Sequence, residues 1–291
     1  MPGAFERLLS RRRAITVVGL LALCALAWLY ILTGAGLGMS AREMTTLSLF
    51  PHKTAAAQAM PGMDMSGMDM PGMVMDMGPA PATPPAWTPR TAALMVAMWW
   101  AMMIAMMSPS AAPTILLYAQ VHRRAVAQSQ IQDRPAPTGA FAAGYLLTWL
   151  GFSVAAAGLQ WVFGRVGLIS DMGSQSRWLS GGLLIAAGLY QLSPLKQTCL
   201  AHCRAPAAFL STHWRPGATG ALRLGLRHGA YCVGCCWMLM ALLFVGGVMN
   251  LAWIAALAVL VLAEKLFPAG RWIGLVCGAV LVGWGVATLL V

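Results

Sequence analysis

The chain has 291 residues, of which 59% are hydrophobic and only 9% charged, with a formal net charge of +11. Ordinary soluble domains carry about 25% charged residues, so this composition excludes one and points to an all-α, polytopic transmembrane helical bundle. No basic stripe alternates with aromatics, which sets nucleic acid aside; no Gly-rich phosphate loop, Walker-type lysine or haem c attachment motif is present, and no enzymatic activity is expected.

Arg7, Arg11, Arg12 and Arg13 precede an apolar run from Ala14 to about Leu32. The run exceeds the roughly 7–15 residues of a signal-peptide core and no A-x-A site follows, so it reads as a first transmembrane helix. Residues 1–33 thus form a cytoplasmic segment and a membrane span. Residues 34–90 form an outer loop. Its middle, Met60 to Met77, holds eight methionines and three aspartates among Gly and Pro. Such a segment cannot bury a core. The Pro-rich stretch that follows is a stiff linker. A polar loop has no core for Met to fill, so the M-x-M pairs built on Met63, Met65, Met68 and Met70 are candidate soft ligands, suited to Cu(I).

Residues 91–291 read as a six-helix membrane domain, giving about seven helices in all, or six if the first is cleaved. The second helix, from about Thr91 to Tyr118, places Met95, Met98, Met102 and Met106 on one face, with Met103 and Met107 on the adjoining one. Such a stripe serves packing or ligation. Pro109 and Pro113 open the hydrogen-bond ladder, and the freed carbonyls with Ser108 and Ser110 would line a polar path. A basic loop from Gln120 to Thr138 leads to a third helix, about Gly139 to Phe163. The fourth, about Trp178 to Ser193, carries Gly181, Gly182 and Gly188 for close helix contact, and Pro194 ends it. Residues 194–228 read as a loop holding Cys199, His202 and Cys203 on one side of a helical turn.

The fifth helix, about Gly229 to Met249, is the most informative. Cys232, Cys235 and Cys236 fall on one face, and His228 lies on that face one turn earlier. Thiols and imidazoles gathered in this way suit a soft or borderline metal ion. Free Cys also serves as a small buried hydrophobe, the role that fits Cys24 and Cys277. Asn250 makes a turn, and the sixth helix, about Ala252 to Leu266, ends near Glu264 and Lys265. Glu264 there reads as an interfacial anchor. The seventh runs from Trp272 to the C-terminus, with Gly274 and Gly278 in a small-xxx-small pattern.

With the N-terminus inside, 14 of the 19 Lys and Arg residues fall in inner segments and five in outer ones. The positive-inside rule supports that arrangement. The Met-rich loop is then periplasmic and the Cys/His residues lie at the cytoplasmic edge of a bacterial inner membrane. Neutral thioethers bind Cu(I) without deprotonation, whereas thiolates need a reducing compartment. Outer Met, intramembrane Met and inner Cys/His therefore form a ladder pointing inward.

The stretches MWWAMMIAMMSPS, YQLSPLKQTCLAHCRAP and YCVGCCWMLMALLFVGGVMNLAW, with the later AEKLFP, together resemble a bacterial family of predicted metal-binding integral membrane proteins of unknown function. The resemblance covers about Ala92 to Val291, leaves out the Met-rich loop, and implies a polytopic membrane protein with a metal site. Three functions remain open. One is capture of Cu(I) (or silver) with transport or delivery, in concert with a periplasmic metallochaperone or membrane metalloenzyme. Another is thiol–disulfide exchange at Cys232 and Cys235. The last is assembly of a membrane metalloenzyme, with copper or zinc as a staple.

Overall fold

The computed structural model describes residues 4–35, 45, 87–128, 137–170 and 173–291. Met63, Met65, Met68 and Met70 lie outside the described residues. Helices α1 (Ala4–Leu32), α2 (Pro89–Ala127) and α3 (Pro137–Arg165) come first. A two-stranded antiparallel turn of β1 (Ile169–Ser170) and β2 (Gly173–Ser174) leads to α4 (Arg177–Leu192). Then come α5 (Pro194–Arg204), α6 (Pro206–His213), α7 (Gly217–Ala241), the short α8 (Leu243–Gly246), α9 (Leu251–Leu266) and α10 (Gly270–Leu290). The all-α expectation holds. Five helices, at Ala14–Leu32, Pro89–Ala127, Pro137–Arg165, Gly217–Gly246 and Gly270–Leu290, are long and apolar enough to cross a membrane, as in a membrane protein. Helices α4 and α9 have 16 residues each, short of the roughly 18 that mark a span.

Several boundaries differ from the sequence reading. Residues 194–228 are mostly helical rather than a loop. Pro194 and Pro206 each stand at the first helical position, where the missing N–H has no intrahelical partner to lose. Ser193 caps α5, its hydroxyl accepting from Lys196 N at 3.2 Å. So Pro194 both ends α4 and starts α5. Helix α7 begins at Gly217, twelve residues before the expected start, because the helical phase continues through Arg223 and Arg227 although the apolar run does not. Helix α2 likewise runs on to Ala127 through both prolines. Asn250 is the N-cap of α9, its side chain accepting from Ala252 N and Trp253 N at 3.1 and 3.4 Å.

Pro109 has no N–H for the carbonyl of Ala105. The Cys24 thiol, from α1, lies 3.8 Å from that oxygen and takes the vacant place. The Met107 carbonyl accepts from Ser110 Oγ at 2.9 Å and from Tyr145 Oη of α3 at 3.1 Å. Carbonyls flanking Pro109 thus tie α2 to α1 and α3.

Glycines set the helix spacing. A Cβ on Gly188 of α4 would lie 2.6 Å from the Gly278 carbonyl of α10, and one on Gly285 2.9 Å from the Gly181 carbonyl. Gly182 faces open space and takes no part. Helices α3 and α7 approach as closely, Gly144 lying against the Leu222 carbonyl and Gly225 against that of Phe141. A Gly225→Val substitution is predicted to lower thermal stability in detergent by about 1–3 kcal/mol through overpacking. Gly158→Ala, on an open face of α3, should not lower it, since alanine favours the helix. Equal unfolding midpoints for the two variants would refute this account of the α3–α7 contact.

Glu264 is not an interfacial anchor. It is 2% exposed, its Oε2 pairs with Lys196 Nζ at 2.5 Å, and its Oε1 accepts from Gln191 Nε2 at 2.7 Å. This buried ion pair ties α9 to α4 and α5.

Candidate metal centre

Cys232, Cys235 and Cys236 all lie buried on α7. Cys232 is 15 residues into that helix. At about 1.5 Å per residue the thiols lie roughly 22 Å from its start, midway along it rather than at its edge. The i, i+3, i+4 spacing brings the Sγ atoms of Cys235 and Cys236 to the Cys232 carbonyl, at 3.1 and 3.0 Å. The Cys232 thiol, beside both of them, has two further partners. Lys265 Nζ, from α9, donates to its Sγ at 2.9 Å, and Tyr145 Oη from α3 is 3.2 Å from the same sulfur. Lys265 also donates to Ser110 Oγ of α2 at 3.1 Å. An ammonium group only 7% exposed therefore holds a thiol of α7 and a hydroxyl of α2 together.

Two further contacts extend the centre. Cys236 Sγ lies 3.8 Å from Met107 Sδ of α2. Cys203, from α5, lies beside Cys235, and Cys199 of the same helix packs its sulfur where a side chain on Gly234 would stand. Burial pushes the Cys199 thiol above its ordinary value, and the neighbouring Cys235 adds to this. A metal ion captured there would displace a proton and bind more tightly as pH rises. All seven cysteines are free.

The histidines are placed differently. His228 is buried among the rings of Phe141, Tyr145 and Phe209, and its Nδ1 has no hydrogen-bond partner. His202 stacks on Tyr231 with centroids 4.2 Å apart, its Nδ1 2.9 Å from the Thr198 carbonyl. On α2, Met95, Met98, Met102 and Met106 are buried with Met103 and Met107 in the hydrophobic core. They form an internal stripe, not a lipid-facing one. Of these sulfurs, that of Met107, on the adjoining face, meets a cysteine.

Among the described residues no group of three or more His, Cys, Asp or Glu side chains is arranged to hold a metal ion. The thiols lie against one another, the Cys232 carbonyl, Lys265 and Met107. The donor set is nonetheless soft: thiols and a thioether, with no carboxylate among their partners. Such a set suits Cu(I) or Ag(I) and not a hard cation. Low-coordinate soft ions also need fewer ligands than the closed tetrahedral set of structural zinc.

Sequence reasoning missed Lys265, Tyr145 and Ser110 as members of one centre. The available signal was a lysine inside an apolar helix, which marks a functional position by default.

A family model described as PpoB2, a copper chaperone, matches residues 96–288. The match takes in Met98, Met102, Met106 and every thiol of the centre, and leaves out residues 60–77. No curated protein and no solved structure matches the chain.

Proposed function

Because the chain belongs to the PpoB2 copper chaperone family, we propose that it is a membrane-embedded Cu(I) carrier that gathers the ion with thioethers and hands it on from thiols. One observation carries this reading. The 3.8 Å contact of Cys236 Sγ with Met107 Sδ joins the cysteine turn of α7 to the methionine-rich helix α2, with no carboxylate in contact among the described residues. A soft ion leaving the α2 stripe meets thiols next.

In this proposal Met63, Met65, Met68 and Met70 collect the ion outside. Met95, Met98, Met102 and Met106 pass it inward, and Cys232, Cys235, Cys236, Cys199 and Cys203 receive it, with His202 and His228 beside them. The topology is seven spans in a bacterial inner membrane, with the N-terminus inside and the Met-rich loop in the periplasm. Helices α4 and α9 complete the count as short spans. Neutral thioethers suit the oxidising side, and the thiols deeper along the path bind more tightly, so the affinity gradient points inward. Delivery fits the family description better than free conduction does, since a conducting site must also release readily. The recipient is a metallochaperone or a membrane metalloenzyme.

The test is the metal content of detergent-purified protein from copper-supplemented cells, for wild type and for Cys232→Ser/Cys235→Ser/Cys236→Ser. Stoichiometric copper in wild type and its loss in the triple variant is the expected result. Zinc in place of copper would overturn the proposal and favour a structural staple. Metal-free wild type with titratable disulfides at these cysteines would replace it with thiol exchange.

A further inference from the structure

A second site lies apart from the thiols. Helix α6 ends at His213, the chain turns through Trp214 to Pro216, and α7 starts at Gly217 with φ of 83°. Gly220 lies in the first turn of α7. A Cβ there would lie 2.6 Å from the Arg215 carbonyl, so the missing side chain lets the turn fold back onto the helix. That brings Arg215 beside Arg223 and Arg227, which are one helical turn apart on α7. These three arginines, with His213 and Trp214, line a cleft of about 480 Å³. Among the described residues no carboxylate lines it. Glu264 is the single acidic residue whose side chain is described, and it is paired with Lys196 elsewhere.

Three guanidinium groups around one cavity, with no counter-charge among the described residues, repel one another. Positive-inside bias explains basic residues at a membrane edge, but not their convergence on one cleft or the glycine that brings them together. All three are arginine, whose planar fork matches phosphate oxygens in a way the point charge of lysine does not. We infer that the cleft between α6 and α7 binds a phosphate group through Arg215, Arg223 and Arg227. A phospholipid headgroup and a soluble phosphate compound share that chemistry. Arg223 and Arg227 stand on α7, the helix that also carries the thiols.

The experiment uses the full chain in two arms. Protein in phosphatidylcholine nanodiscs is titrated calorimetrically with inorganic pyrophosphate, and protein in detergent is mixed with phosphatidylglycerol and read by native mass spectrometry. Pyrophosphate binding identifies a soluble ligand; retained phosphatidylglycerol without pyrophosphate binding identifies a lipid headgroup. In either case Arg223→Gln/Arg227→Gln should weaken binding about tenfold or more, the scale of one or two charge-assisted hydrogen bonds. Arg271→Gln, an exposed arginine that does not line the cleft, should leave it unchanged. Both arginines of the double variant are exposed, so it should melt with the wild type. The inference is overturned by no saturable binding of either probe, by a double variant that binds as wild type, or by equal weakening in Arg271→Gln.

Discussion

Glu264→Gln is expected to destabilise the protein by about 3–5 kcal/mol, the usual result of removing one partner from a buried ion pair. The glutamine keeps the shape and can still bond Gln191, but it leaves the Lys196 ammonium, 0% exposed, without a counter-charge. A charge so placed has no water to turn to. Thermal unfolding in detergent should show a midpoint lower by roughly 10 °C. The second half of the prediction is the more discriminating. Lys196→Met combined with Glu264→Gln removes both charges and should recover most of the loss, since a buried pair contributes little net stability beside an apolar replacement. A Glu264→Gln variant within about 1 kcal/mol of wild type would show that the pair does not carry this burden. A double variant no better than the single one would place the cost in lost geometry instead.

This pair also shows where the sequence stopped being informative. Glu264 and Lys265 are adjacent at the end of an apolar run, which from sequence alone is the signature of a membrane edge. In the fold they diverge by about 100° around α9. Glu264 turns to Lys196 of α5 and Gln191 of α4; Lys265 turns to Cys232 of α7 and Ser110 of α2. Their partners are between 33 and 155 residues away, and no local pattern encodes that. What periodicity could encode was readable. The i, i+3, i+4 phasing correctly put Cys232, Cys235 and Cys236 on one turn, and the apolar runs gave α3, α4 and α9 to within about two residues, the ordinary error of such boundaries. The start of α7 was not readable, because Arg223 and Arg227 break the apolar run while keeping the helical phase. Helical phase also located two methionine faces on α2. It could not decide which one meets α7, and the thiol contact falls to Met107 rather than to the row through Met98.

Substitution at Cys232 should separate a structural role from a metal-binding one. Its sulfur accepts from Lys265 Nζ at 2.9 Å and adjoins Tyr145 Oη at 3.2 Å. Cys232→Ala deletes that acceptor and leaves the ammonium with Ser110 as its remaining hydrogen-bond partner in the centre. A lost hydrogen bond to a buried charge costs about 1.5–3 kcal/mol, so this variant should melt lower and lose copper. Cys232→Ser keeps an oxygen acceptor in nearly the same place, so it should regain most of that stability. Hydroxyl oxygen is a hard ligand and a poor match for Cu(I), so the serine variant should still lose copper. The expected pattern is therefore two variants alike in metal content and unlike in melting temperature, measured on the same detergent-purified samples. Full copper in the serine variant would remove Cys232 from the ligand set and leave Cys235, Cys236 and Met107 to hold the ion. Equal melting of the two variants would mean that Lys265 finds another acceptor when the sulfur is gone. In that case the lysine would not be what holds α9 to the thiol turn, and the packing of the surrounding helices would have to do so.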